Sequence, residues 1–110
     1  MNLENSGNVF SQWKKGISKA KGDYIWIAEA DDLSDRYFLE NIMKGFEYDN
    51  VVISYSQSKQ INEAGSIIAN EYLYYTNDVD IHKWSTDYVN NGVDEIKQCM
   101  SIKNTIPNIS

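Results

Sequence analysis

Three observations predict an α/β fold. Residues 24–28 (Tyr24, Ile25, Trp26, Ile27, Ala28) form a continuous apolar run, as in a short strand buried on both faces of a parallel sheet. Phe38, Leu39, Ile42, Met43 and Phe46 then fall at i, i+1, i+4, i+5 and i+8, a wide helical stripe suited to packing on a sheet. Residues 51–55, rich in Val and Ile, read as a second strand. Strand, helix and strand within about thirty residues make a βαβ unit, with a right-handed crossover expected.

The flanking elements follow from local chemistry. Between residues 8 and 20 the apolar side chains Phe10, Trp13, Ile17 and Ala20 recur at three- and four-residue steps, which predicts a helix with Asn8 as its N-cap and Gly22 as its stop. Ser34 is the expected cap of the second helix, with Asp35 in its first turn beside exposed amides. Residues 60–62 and 66–68 flank Glu63, Ala64 and Gly65, a small hairpin with glycine at the left-handed position. Residues 72–75 read as another short strand and 84–90 as a helical turn that stops near Gly92. Residues 93–103 read as a helix, acidic at its start and basic at its end, with Asn104 as its C-terminal cap and Pro107 barring continuation.

Composition narrows the function classes. At 110 residues there is room for one domain, and 42% hydrophobic with 13% aromatic residues is enough to support a core. Ten basic against sixteen acidic residues leave a net charge of −6, which disfavours nucleic acid as a partner unless charge is strongly segregated. No apolar run approaches the roughly 20 residues of a membrane span, and the N-terminus lacks a basic-then-apolar leader. The expected compartment is the cytosol, free or peripheral at the inner face of the membrane. Cys99 is the single cysteine, so an intramolecular disulfide and a thiolate zinc cluster are excluded; its expected role is a small buried hydrophobe on a helix.

The chemistry concentrates after the first apolar run. Glu29, Asp31 and Asp32 follow it directly, at the carboxyl edge where α/β sheets bind ligands. Crowded carboxylates repel one another, so they call for a cation, basic side chains or open water. Oxygen donors of this kind suit Mg²⁺ or Mn²⁺, ions that share their coordination with substrate phosphates and offset charge on a departing diphosphate. The competing reading is a solvated turn with no ligand. A calcium loop starting at Asp31 fails, because its sixth and twelfth positions hold Arg36 and Ile42. Asp78 and Asp80 match a bare D-x-D pattern, but their surroundings predict a surface loop. For His82, the single histidine, a surface or packing role is expected, and the tyrosines are expected to pack, although a tyrosine could stack on a sugar or base.

Glu4-Asn5-Ser6-Gly7-Asn8, then residues 16–32 (GISKAKGDYIWIAEADD), resemble the central stretch of family 2 glycosyltransferases with the GT-A fold, and the likeness continues through Phe38-Leu39-Glu40. In that family an N-x-G segment and a helix ending in A-x-G-x-Y-I lead into a strand and a D-x-D or D-x-D-D motif. The resemblance implies a partial, Rossmann-like GT-A fold, with residues 1–110 as one incomplete domain. It implies nucleotide-sugar binding by Glu29, Asp31 and Asp32, with Mn²⁺ or Mg²⁺ held by Asp31 and Asp32. The implied partners are a nucleotide-diphospho-sugar and a glycan or lipid-linked acceptor. Glu29 stands where the family usually has aspartate, so its longer arm could reach the ribose or a water on the metal instead. The family's base-gripping first segment and its later catalytic base are expected to lie outside this chain, residues 104–110 resembling the approach to the latter. Little activity is expected from such a piece alone, and unpaired sheet edges would favour a homodimer. The competing expectation is a noncatalytic binding or assembly domain; a third is metal-dependent phosphoester hydrolysis.

Overall fold

The computed structural model describes residues 7–106. The chain falls into two compact units, one reaching Asp32 and the other beginning at Leu33. The Glu4 to Ser6 part of the N-x-G segment, and Pro107 with the residues after it, lie outside the described residues.

The first unit opens with helix α1, Val9–Ile17. Asn8 caps it as its sequence predicts: the side-chain oxygen accepts from the Phe10 N–H at 2.9 Å, satisfying a donor that the helix itself cannot. The helix ends before Gly22, however. Gly16 weakens its last turn, and the Ser18 hydroxyl turns back to donate to Lys15 O at 2.9 Å, so tight turns replace the helix over residues 18–20. No described residue of this unit is buried.

In the second unit Asp35, rather than Ser34, starts the helical segment. Its carboxylate accepts from the Tyr37 N–H at 2.8 Å, and the Phe38 N–H donates to Asp35 O at 3.0 Å. Helix α2, Phe38–Lys44, follows and tightens into a single 3₁₀ turn over Gly45–Glu47. Asn50 then takes the left-handed backbone conformation at φ 64, which asparagine tolerates better than most residues. Residues beyond it return to the end of α2, where the Ser54 hydroxyl donates to Ile42 O at 2.8 Å. Gly45 permits that approach, because a Cβ there would lie 3.0 Å from Ser54 Cβ and closer still to its Oγ.

The helix of the expected βαβ unit is therefore present, but its strands are not. Neither 24–28 nor 51–55 carries strand pairing among the described residues. The reason is physical: a helix closes its own hydrogen bonds, whereas a strand needs a neighbour for its ladder and a packed face for its side chains. Ile25 stands 50% exposed and Val52 85% exposed, so neither segment has gained that face.

The expected hairpin does form. Strands β1, Gln60–Ile61, and β2, Ile67–Ala69, pair antiparallel, with Gln60 opposite Ala69 and Ile61 opposite Ile67. The Asn62 side chain accepts from Ala64 N at 3.0 Å and Ser66 N at 2.9 Å, and Gly65 occupies the left-handed region at φ 76. Residues 72–75 correct the sequence expectation. Leu73–Thr76 is a short helix, α3, closed by Asn77 N to Leu73 O at 2.9 Å, with the Tyr72 ring 5.2 and 5.4 Å from those of Tyr74 and Tyr75. Aromatic packing around this single turn outweighs β-propensity here. The expected turn over 84–90 shrinks to one 3₁₀ turn, Lys83–Ser85. Helix α4, Gly92–Glu95, is capped by Asn91 and runs on as a π-helical turn over Ile96–Met100. Among the described residues Trp84, Cys99, Thr76, Glu95 and Thr105 are buried, so the core of this unit lies among α3, the Lys83 turn and α4. Among the described residues no helix is long and apolar enough to cross a membrane.

Candidate metal centre

Glu29, Asp31 and Asp32 sit on the tight turn that ends the apolar run of the first unit. Each brings one carboxylate oxygen to within 4.8 Å of the others, with Glu29 partly buried and the two aspartates exposed. At this separation each like-charge pair costs about 1 kcal/mol in bulk water, and more where water is thin. Burial, then the charges of Asp31 and Asp32's other neighbour Glu29, raise the Asp32 carboxyl above its ordinary value. Glu29 Oε1 is shielded from solvent and has no hydrogen-bond partner. An acceptor in that state lacks a donor or a cation.

The donor set fits a hard divalent ion. All three donors are carboxylate oxygens, the ligand type that Mg²⁺ and Mn²⁺ favour, and they already lie within 4.8 Å of one another. Glu29 lies in the same cluster as Asp31 and Asp32, so its longer arm does not remove it from the group. Among the described residues the two ion pairs engage Asp78 and Glu95, and no lysine or arginine neutralises this turn.

The second acidic pair is used differently. Both Asp78 oxygens accept from Lys103 Nζ at 2.9 Å, which holds the Asp78 carboxyl below its usual range. Asp80 accepts from the backbone N–H groups of His82 and Lys83, at 2.7 and 3.0 Å, and they lower its carboxyl likewise. The D-x-D here is a loop staple and a cap. His82 is exposed at the head of the 3₁₀ turn.

The sequence gives little sign of a polar network in the second unit. Glu95, 7% exposed, accepts from Lys83 Nζ at 2.5 Å, from Asn90 Nδ2 at 2.9 Å and from the Tyr88 hydroxyl at 3.4 Å. Burial pushes the Glu95 carboxyl up, but the donated hydrogen bonds outweigh it and the net displacement is downward. Lys83 is displaced upward: its hydrogen bonds to Glu95 and Cys99 Sγ outweigh its burial. The Tyr88 hydroxyl pairs with that of Tyr55, which also accepts from Trp84 Nε1 at 3.2 Å; burial foremost, then Tyr55, raises the Tyr88 phenol far above its usual value. Such a carboxylate is saturated with donors and committed to packing. Its partners are 5 to 12 residues distant in sequence, and only the recurrence of Glu95 and Cys99 four residues apart hints at a shared helical face.

A family model described as "Glycosyl transferase family 2" matches residues 2–100. No curated protein and no solved structure matches the chain.

Proposed function

The chain belongs to glycosyl transferase family 2, and from that premise we propose that it contributes the diphosphate and metal end of a nucleotide-sugar site, in a domain that transfers a sugar to an acceptor hydroxyl. The family implies a GT-A-like fold together with nucleotide-sugar and acceptor substrates. We read residues 1–110 as part of one such domain. The observation that carries the proposal is the convergence of Glu29, Asp31 and Asp32, with Glu29 Oε1 left without a donor.

In this reading Asp31 and Asp32 hold Mn²⁺ or Mg²⁺, and Glu29 completes the oxygen set or meets a water or ribose hydroxyl beside it. A divalent ion at this turn supplies positive charge to the diphosphate, most valuable as the leaving group gains charge. The carboxylates' own task is to hold that ion and the donor's phosphate end in register, which lowers the entropy of reaching the transition state. No side chain of the described residues is assigned as the base for the acceptor hydroxyl.

One observation favours the noncatalytic alternative. The segment leading into the turn has no strand pairing, and a site held this loosely positions substrate poorly. Calorimetric titration with Mn²⁺ and a panel of nucleotide-diphospho-sugars separates the two. Metal-dependent heat for a nucleotide sugar, lost in Asp31→Asn and Asp32→Asn, supports the transferase site. Absence of heat and of any thermal shift at millimolar ligand overturns it.

A further inference from the structure

Twelve asparagines are spread along the chain, and only one of them, Asn91, precedes a glycine. That neighbour matters because an asparagine side-chain amide is open to attack by the main-chain nitrogen of the next residue. A side chain on that residue crowds the approach and restricts the backbone rotation that brings nitrogen and amide carbon together; glycine does neither. Asn91 and Gly92 are both exposed, and a Cβ on Gly92 would meet nothing within 4 Å, so water and hydroxide reach this bond freely. As the first residue of α4, Gly92 has its N–H outside the helical ladder, where no carbonyl of the helix holds its proton.

The folded chain restrains the reaction. Asn91 Oδ1 accepts from the Val93 N–H at 2.9 Å and from the Asp94 N–H at 3.4 Å, and the Asn91 backbone is extended at ψ 130. Ring closure requires the side chain to leave those two donors and the backbone to rotate, so the Gly92 nitrogen reaches Asn91 Cγ only when the cap opens. Gly92–Glu95 is too short to persist as a helix by itself, and it is tied down through the Glu95 carboxylate, which accepts from Lys83 and Asn90.

We infer that Asn91 is a site of spontaneous deamidation, restrained by the Glu95 network and released as α4 opens. Hydroxide removes the Gly92 N–H proton and the nitrogen attacks Asn91 Cγ. The bond from Cγ to the side-chain nitrogen breaks, and that nitrogen takes a proton from water and departs as ammonia. Water then adds to either carbonyl of the cyclic imide, leaving aspartate or isoaspartate with no change in oxidation state. Isoaspartate carries the main chain through the former side chain, which inserts a methylene between Asn90 and Gly92 and removes the cap. Asn90 Nδ2, 2.9 Å from Glu95 Oε2, then loses its register with that carboxylate. The conversion is one-way. It needs neither metal nor sugar, so it stands apart from the proposed transferase reading.

The test is ageing of the full chain for weeks in mildly alkaline and mildly acidic buffer, followed by mass-spectrometric mapping of the tryptic peptide 84–97, which carries Asn90 as an internal reference. Asn91 is expected to convert to both products, faster in alkali, while Asn90 stays intact. Glu95→Gln should hasten the conversion at least about threefold, because α4 opens more often without its anchor. In unfolding urea, where no cap remains, Gly92→Ala should slow it about tenfold, which isolates the glycine's chemical effect from any effect on the helix. An Asn91 that stays intact through alkaline ageing overturns the inference. So does a Gly92→Ala rate equal to the parent's in urea, or a Glu95→Gln rate equal to the parent's in buffer.

Discussion

Glu29 and Glu95 are both partly or fully withdrawn from water, but their surroundings differ in kind. Glu95 is surrounded by donors, with the Lys83 ammonium, the Asn90 amide and the Tyr88 hydroxyl all aimed at it. Glu29 is surrounded by like charge, with oxygens of Asp31 and Asp32 within 4.8 Å and no donor on Oε1. A carboxylate whose charge is matched inside the fold is structural, and removing it leaves its partner stranded. A carboxylate whose charge is unmatched has capacity left for a ligand, and removing it relieves the apo chain. The contrast separates scaffold from candidate site without appeal to motif spelling, and it explains why the literal D-x-D at Asp78 and Asp80 is the poorer candidate.

The largest expected effect tests the matched side. Glu95→Gln or Lys83→Met should cost about 3 kcal/mol or more in urea unfolding, because each strands a buried partner. A loss below about 0.5 kcal/mol would place the pair in effectively open water. Next comes Gly45→Ala, expected to cost about 1–3 kcal/mol by driving a methyl into Ser54, measured in the same way. A neutral result would mean that residues 51–55 do not lie against the end of α2.

The two regions should also respond to acid in opposite senses. The folded Glu95 carboxyl lies below its ordinary value of 4.5, so its contribution is present above that pH and is lost as pH falls through the lower folded value. The folded Asp32 carboxyl lies above its ordinary value of 3.8, so the folded state takes up that proton more readily and acid relieves the turn. The Lys83 contribution, with its folded value raised above 10.5, is present below that pH and is lost as pH rises through the folded value. Thermal unfolding below pH 5 should thus show an acid loss of stability that shrinks in Glu95→Gln and deepens in Asp32→Asn. The smallest effect is on the unmatched side: without metal, Glu29→Gln or Asp32→Asn should be neutral or stabilising by about 0.5 kcal/mol. A clear destabilisation would reveal a partner for the turn within the fold.

The local features were the legible ones. Asn8 as a cap, the hairpin loop from Asn62 to Gly65 and the helix α2 each depend on contacts within a few residues, and each forms, whereas the apolar stripe of α2 has no sheet to pack on and leaves Leu39 51% exposed. Residues 24–28 and 51–55 have the composition of strands, yet a strand is completed only by distant neighbours, which composition does not specify. Residues 72–75 misled because tyrosine favours strands on average, while here the rings pack on one another around a helical turn. The acidic turn was legible as three charges on consecutive or alternate positions. The Glu95 network was not, because Lys83, Tyr88 and Tyr55 reach it from separate segments, and α4 with its π turn reverses the usual sides: Glu95 and Cys99 face inward while Val93 and Ile96 stand 57% and 56% exposed.

The central claim is that the turn at Glu29, Asp31 and Asp32 has unspent capacity for a divalent cation. Electron paramagnetic resonance of Mn²⁺ tests it most directly, since the six-line signal of the free aqua ion fades as the ion is bound. The parent chain should deplete that signal with a stoichiometry of about one, Asp31→Asn and Asp32→Asn should restore it, and Asp78→Asn should leave depletion unchanged. Depletion that survives both substitutions in the turn, or a parent that leaves the signal at full height with millimolar protein, would contradict it.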